Sequence, residues 1–207
     1  MFVDKEKASF SKGVNYGGLN FGIANSEQER IRIFNSRLDL CEAQFPYLLN
    51  YENVYPAMDE FDDCSILFYL ASGEQVIGSC RVTPFSNNSW EISKHLPDDF
   101  YFHFDASTYV QVNRVYVHKD FRNMGLHAFM FYHLSVWVMA HTGFSRFFAI
   151  CNSRHVKLYC KLGAELVSAQ EIYLKHRRIE PYYLIEGDIE KAKLTIENKY
   201  LYGTNAD

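Results

Sequence analysis

The sequence predicts an α/β (α+β) domain. Helix-spaced and strand-spaced apolar runs follow one another in the order helix, hairpin, strand, helix, strand, helix, strand. Apolar residues make up 48% of the 207, enough for a sizeable core. No repeat and no linker-like stretch divides the chain after residue 25. One domain is therefore expected over 26–207, preceded by an irregular arm at 1–25 that is rich in Gly, Asn, Ser and Lys.

Each element has its own signal. Ser26-Glu-Gln-Glu29 fits a capping box, in which the serine hydroxyl accepts a backbone N–H and the glutamate reaches back. Ile31, Phe34, Leu38, Cys41, Phe45 and Leu48 then recur at nearly helical spacing, with Pro46 leaving the helix end open. Ser65–Ala71 and Gln75–Thr83 are strand-like runs joined by a glycine-containing turn, a hairpin that Pro84 ends. Residues 85–107 are polar and broken. Tyr109–Val117 alternates like a strand. Leu126 to about Thr142 is spaced like a helix, with Leu126, Phe129, Met130, His133, Leu134, Trp137 and Ala140 three and four apart. Arg146–Cys151 reads as a buried strand and Ser153–Leu162 as a short helix. Ala164–Val167, Glu171–Leu174 and Pro181–Ile185 are further strand candidates, and the pattern beyond Ile189 is helical before it frays.

Composition narrows the function. A net charge of −4 without a basic stripe excludes an ordinary nucleic-acid surface. No run of 18 apolar residues exists, so no membrane span is expected. The opening Met1-Phe-Val-Asp-Lys-Glu-Lys is charged and unlike a secretion signal. Cysteines at 41, 64, 80, 151 and 160 form no CxxC pair and read as buried thiols of a reducing, cytoplasmic compartment. The eight histidines are scattered, so no metal site is expected. The 17 Phe and 15 Tyr serve either packing or a groove for an apolar ligand.

The joint Arg122-Asn-Met-Gly125 stands where a strand hands over to a helix. A helix N-terminus has unpaired N–H groups and partial positive charge, which suit a phosphate. Glycine lets the backbone approach a ligand, and arginine adds charge-assisted hydrogen bonds. An ordinary turn with a surface arginine would look similar. Downstream lies Tyr159-Cys-Lys161-Leu-Gly163. Together the two segments resemble the GNAT acyltransferase superfamily, with its Arg-x-x-Gly-x-Gly/Ala joint and its Tyr-x-Lys-x-Gly helix.

Further upstream, Met58-Asp-Glu-Phe-Asp62, Gly78-Ser-Cys-Arg-Val-Thr-Pro84 and Asn113-Arg-Val-Tyr-Val117 resemble the acyl-homoserine-lactone synthases and the long-chain N-acyl amino acid synthases. The resemblance implies a GNAT-like fold, a central mixed, largely antiparallel sheet flanked by helices. It implies an acyltransferase that moves a long acyl chain from acyl carrier protein, or from coenzyme A, to an amino acid or its derivative. A phosphopantetheine arm would lie along Val115, Tyr116 and Val117. Its phosphate would meet Arg122, Asn123, Met124, Gly125, Leu126 and His127. Arg37, Asp59, Asp62, Arg81 and Arg114 match the group that faces the substrate, with Arg30 and Arg32 competing for the place of Arg37. Alternating charges there can hold a zwitterion, or can simply pin the first helix to the sheet.

Two departures matter. His127 stands where the superfamily has Gly or Ala. Gln111 stands where the synthases have Glu, and glutamine can hydrogen-bond an amine but cannot take its proton. The region Tyr47–Tyr51 also lacks the tryptophan of the lactone synthases, which favours an amino-acid acyltransferase. Tyr159 is the candidate general acid for the departing thiolate, or packs beside the donor. The base is a water held by Gln111 or a carboxylate of the Asp59–Asp62 loop, with Glu91 and His118 as weaker candidates. Phe68, Phe129, Phe131, Trp137, Phe147 and Phe148 are candidates to line an acyl slot. Lys175-His-Arg-Arg178 is a candidate dock for an acidic carrier protein. The competing functions are a small-acyl acetyltransferase using acetyl-coenzyme A and a non-catalytic acyl-binding module.

Overall fold

The computed structural model describes residues 18–86, 89–96, 100, 104–175 and 177–201. Eight strands form one sheet: β1 (Leu19–Ile23), β2 (Ile66–Ser72), β3 (Gln75–Thr83), β4 (Tyr109–Val117), β5 (Arg146–Asn152), β6 (Glu165–Leu166), β7 (Ile172–Leu174) and β8 (Arg177–Asp188). Their order is β1-β2-β3-β4-β5-β8-β6, with β7 also paired to β8. Every pair is antiparallel except β4–β5. The helices are α1 (Glu27–Gln44), α2 (Leu126–His141), α3 (Ser153–Lys161) and α4 (Ile189–Ile196). No described helix is long and apolar enough to cross a membrane.

Residues 19–23 correct the expectation of an irregular arm, because they pair with β2 from Leu19↔Ser72 to Ile23↔Phe68. The run is too short and mixed for its alternation to stand out, and the free edge of β2 selects its conformation. The arm's remaining residues, 1–17, lie outside those described.

The capping box forms as expected: Ser26 Oγ accepts from the Glu29 N–H, and the Glu29 carboxylate accepts from the Ser26 N–H. The helix stops at Gln44, because proline at 46 cannot continue it. Its buried face is Ile33, Phe34, Arg37 and Cys41 rather than the expected apolar stripe. A guanidinium thus occupies the middle of that face.

The two sides of the sheet have different contents. Phe68, Leu70, Cys80, Val82, Val110 and Val112 pack with Phe129, Met130, Leu134 and Val138 of α2. Leu67 of the opposite side packs against Ile33 and Phe34 of α1. Phe148 and Leu184 pack beneath Trp90, Ile92 and Leu96. Alternation along β3 and β4 therefore aims Arg81, Gln111 and Asn113 away from α2, toward α1 and the 91–94 turn.

Two features of β4 open the sheet. Its register with β3 shifts by one residue between Ser79↔Tyr116 and Arg81↔Asn113, and Arg114 there adopts φ +50°. This is a β-bulge, which bends the strand and re-aims its side chains. Beside it, β4 and β5 share only Tyr109↔Arg146, Val110↔Phe147 and Gln111↔Phe148. Beyond these residues the strands part, and β5 continues on β8 alone.

Candidate active site

The parting of β4 and β5 opens a cleft of about 820 Å³. That lies within the roughly 300–1,000 Å³ usual for small-molecule sites. One side holds Arg37, Cys41, Glu91, Gln111, Asn113 and Arg114; the other is apolar, with Ala128, Phe131, Phe147, Ala149, Ile189 and Ile196. The cleft therefore passes through the sheet, from the α1 side to the α2 and α4 side. A second cleft of about 670 Å³ adjoins it at Tyr47, Glu91, His95 and Arg114, and is lined further by Tyr55, Met58, Asp59 and Phe61.

Where the clefts meet, three guanidiniums face three carboxylates. Arg37 Nη1 donates to Asp62 Oδ1 at 2.8 Å. Arg81 Nη1 lies 2.6 Å from Asp59 Oδ1 and 3.0 Å from Asp62 Oδ1. Arg114 Nη2 donates to Asp59 Oδ2 at 2.6 Å. Arg81 Nη2 is 3.2 Å from Glu91 Oε1 but off the line of a hydrogen bond. Asp62 and Arg81 are fully buried, so neither charge survives there without its partners in the cluster. Burial opposes ionisation of Asp59, yet the Arg81 and Arg114 guanidiniums together outweigh it and hold its carboxyl far below the usual range. Burial likewise opposes ionisation of Asp62, and Arg37 and Arg81 lower its pKa against the repulsion of Asp59. Arg30 and Arg32 pair instead with Asp63 and Glu74 on the surface, so geometry selects Arg37 for the cluster.

Glu91, a residue that the sequence offers only as an alternative base, belongs to this cluster. It opens a one-turn 3₁₀ segment (Glu91–Lys94) and is 5% exposed. Gln111 Nε2 donates to its Oε2 at 2.9 Å and Asn113 Nδ2 at 3.2 Å. Gln111 Oε1 accepts from the Ile92 N–H at 3.2 Å. Both ends of Gln111 thus hold the turn. Nothing in the polar stretch 85–107 marks Glu91, because the contact with residue 111 exists only once the sheet has formed. His118, the other weak candidate, pairs with Asp120 at 3.6 Å and lines neither cleft.

At the far mouth, Gly125 caps α2 with φ +71°, a conformation that favours glycine. Arg122 turns back so that its Nε donates to the Val117 carbonyl at 3.3 Å. Arg122, Asn123, Gly125 and His127 line the cleft, with Val115, Tyr116 and Val117 along its wall. Met124 and Leu126 do not: Met124 is exposed and Leu126 packs into the core. Burial, with His155 and Arg122 nearby, pushes His127 down to about 4. Tyr159 lines the cleft from α3, with its ring edge-on to Phe131 at 5.8 Å. Burial raises its pKa, so the hydroxyl keeps its proton. Among the described residues that hydroxyl makes no hydrogen bond.

Residues 50–184 match the model of the N-acyl amino acid synthase FeeM family. The chain belongs to that family. It is accordingly an N-acyltransferase. No curated protein matches it by sequence. Its fold is that of BjaI, a CoA-dependent acyl-homoserine lactone synthase solved with SAM and isopentyl-CoA, at TM-score 0.67 and 16% identity over 86% of this chain and 84% of that one. FeeM from uncultured soil microbes matches at 0.56 and 12% identity, over 86% and 94%. A putative N-acetyltransferase from Lactobacillus plantarum matches at 0.59 and 13%, over 83% and 99%. The GNAT-like fold is common to them.

Other expectations fare unevenly in this N-acyl amino acid synthase fold. Of the aromatics expected to line an acyl slot, Phe131 and Phe147 line the cleft. Phe68, Phe129, Trp137 and Phe148 pack into the cores instead. Cys41, Cys80 and Cys151 are buried thiols, but Cys64 and Cys160 are exposed. In the basic run 175–178, residue 176 and the side chains of Arg177 and Arg178 lie outside those described.

Proposed function

We propose that the protein joins a long acyl chain, carried as a phosphopantetheine thioester, to the α-amine of an amino acid. One observation carries this reading: a single cleft crosses the sheet, charged on the α1 side and apolar on the α2 and α4 side. The charged side suits a zwitterion and the apolar side an acyl tail. The thioester sits between them, along Val115–Val117. The N-terminus of α2 offers the phosphate its N–H groups, Arg122 adds positive charge, and the neutral His127 adds a ring N–H. Coenzyme A and a carrier protein present the same arm.

The amine, having lost its extra proton, attacks the thioester carbonyl carbon. The first proton of the ammonium goes to solvent; the C–N bond forms, the C–S bond breaks, and the second proton the nitrogen sheds replaces the one the thiolate takes. Tyr159 keeps its proton on the cleft wall, as Tyr116, Cys41 and Cys151 also do, and the Tyr-x-Lys-x-Gly pattern on its helix favours it as the donor. The arginine–carboxylate cluster holds the acceptor and orients its nitrogen, which supplies the proximity term. Gln111 positions Glu91.

Mass spectrometry of lipid extracts from cells expressing the protein tests this, with Arg81→Ala and Tyr159→Phe as controls. New N-acyl amino acids that vanish in the Arg81 variant are the expected result. An N-acyl lactone, or no new lipid, overturns it. Purified protein given decanoyl-coenzyme A and decanoyl-carrier in parallel separates the two donors.

A further inference from the structure

Resting on that reading of the acceptor, we infer that Glu91 is the group that recognises the amino acid's nitrogen, with the free edge of Arg114 taking its carboxylate. Glu91 Oε2 is occupied by Gln111 and Asn113. Its Oε1 receives no well-aligned hydrogen bond: Arg81 Nη2 at 3.2 Å is off line, while His95 Nε2 and Arg114 Nε stand at 3.8 and 3.9 Å. One carboxylate oxygen, nine-tenths buried and on the wall of both clefts, therefore retains its lone pairs for a donor.

Beside it is the complementary vacancy. Arg114 has 9% of its side chain exposed, and its Nη1 has no hydrogen-bond partner. The Cys41 thiol stands close to Arg114, but a thiol is a weak acceptor. A buried guanidinium N–H left open costs stability unless an acceptor arrives. The acceptor group and the donor group belong to neighbouring side chains, with Arg114 Nε only 3.9 Å from Glu91 Oε1. A ligand with ammonium and carboxylate on one carbon satisfies both at once. The pair thus selects α-amino acids over simple amines and over carboxylic acids. Tyr47, Tyr55, Met58 and Phe61 in the adjoining cleft suit an apolar or aromatic side chain.

Sequence position hides this role. The glutamate expected at 111 is absent, and a carboxylate arrives instead from a 3₁₀ turn twenty residues earlier, tied down by the glutamine in its place.

The test is calorimetric titration with L-phenylalanine, 3-phenylpropanoate and 2-phenylethylamine, which needs no acyl donor. Wild type is expected to bind phenylalanine about tenfold or more tightly than either analogue. In Glu91→Gln the preference over 3-phenylpropanoate falls to near one, with 3-phenylpropanoate itself bound as before. In Glu91→Asp, which keeps the charge but shortens its reach, the preference falls in the same direction. That variant decides the matter if the glutamine variant does not fold. Arg114→Gln should abolish the preference over 2-phenylethylamine instead. An unchanged ratio in both Glu91 variants, or an equal loss for phenylalanine and 3-phenylpropanoate, overturns the role of Glu91 while leaving the acyltransfer reading intact. If wild type binds and acylates none of the twenty common amino acids, the acceptor reading falls and this inference falls with it.

Discussion

Arg37 sits on a helix face that ordinary spacing reserves for apolar side chains, and Asp62 is the reason it can. Their bond is fully buried, so removing one partner leaves a charge without compensation. Arg37→Met should cost about 3 kcal/mol in urea unfolding, near the low end for a broken buried pair because Arg81 still contacts Asp62. Tyr159 is the opposite case. Its ring packs, but its hydroxyl bonds to nothing described, so Tyr159→Phe should leave the melting temperature unchanged. If the hydroxyl protonates the leaving thiolate, kcat falls about 100-fold or more in steady-state assays. Equal kcat would assign the tyrosine to packing alone. The motif residues Asp59, Asp62, Arg81 and Arg114 were legible because they resemble a family pattern. Glu91 was not, since a lone acid in a polar stretch gives no periodicity to read.

Strand β4 decides the site at the scale of elements. Its limits, Tyr109 to Val117, follow from alternation, and those of β3 from a strand-like run between a glycine-containing turn and Pro84. The bulge at Arg114 and the parting from β5 after Gln111 do not, because alternation along one strand fixes which face each residue takes and not where its pairing with a neighbour shifts or stops. The cleft follows from both. Ala149 is the first β5 residue beyond the shared pairs, and it faces the apolar side with Phe147. Ala149→Phe should narrow that wall and exclude about two methylenes of a long tail. At ~0.8 kcal/mol per methylene, long-chain donors lose roughly tenfold in kcat/KM while acetyl donors are spared. Equal losses for both would place the tail elsewhere. At the other mouth, a Cβ on Gly125 meets no neighbour, so Gly125→Ala is opposed only by its φ of +71°. It should destabilise the fold by about 1 kcal/mol in urea unfolding.

The whole molecule binds fewer protons than its unfolded chain on the acid side, and its stability should therefore rise with pH there. His127 is one source. Its folded pKa is depressed from 6.5 to about 4, so it contributes stability above the unfolded value that is lost as pH falls toward 4. His133 and His155 are shifted the same way, the first by burial alone and the second by burial with Arg122 and Arg154. Asp59 and Asp62 add a second loss below about pH 4, the ordinary aspartate value, because both are depressed in the folded protein. Thermal melts from pH 8 to 3 should show a shallow decline below 6.5 and a steeper one below 4. His127→Asn should make the first segment shallower and leave the second unchanged, since His133 and His155 remain. By itself, the sequence determined the elements, since helical and strand periods, the capping box and Pro46 are local constraints that each segment carries alone. It also carried the motif residues of the N-acyltransferase family. Tertiary structure alone decided the edge strand at 19–23, the choice of Arg37 over its neighbours, the through-sheet cleft and the place of Glu91. Those depend on register, on a bulge and on charges that meet across long separations, and no segment encodes them until the sheet has closed around them.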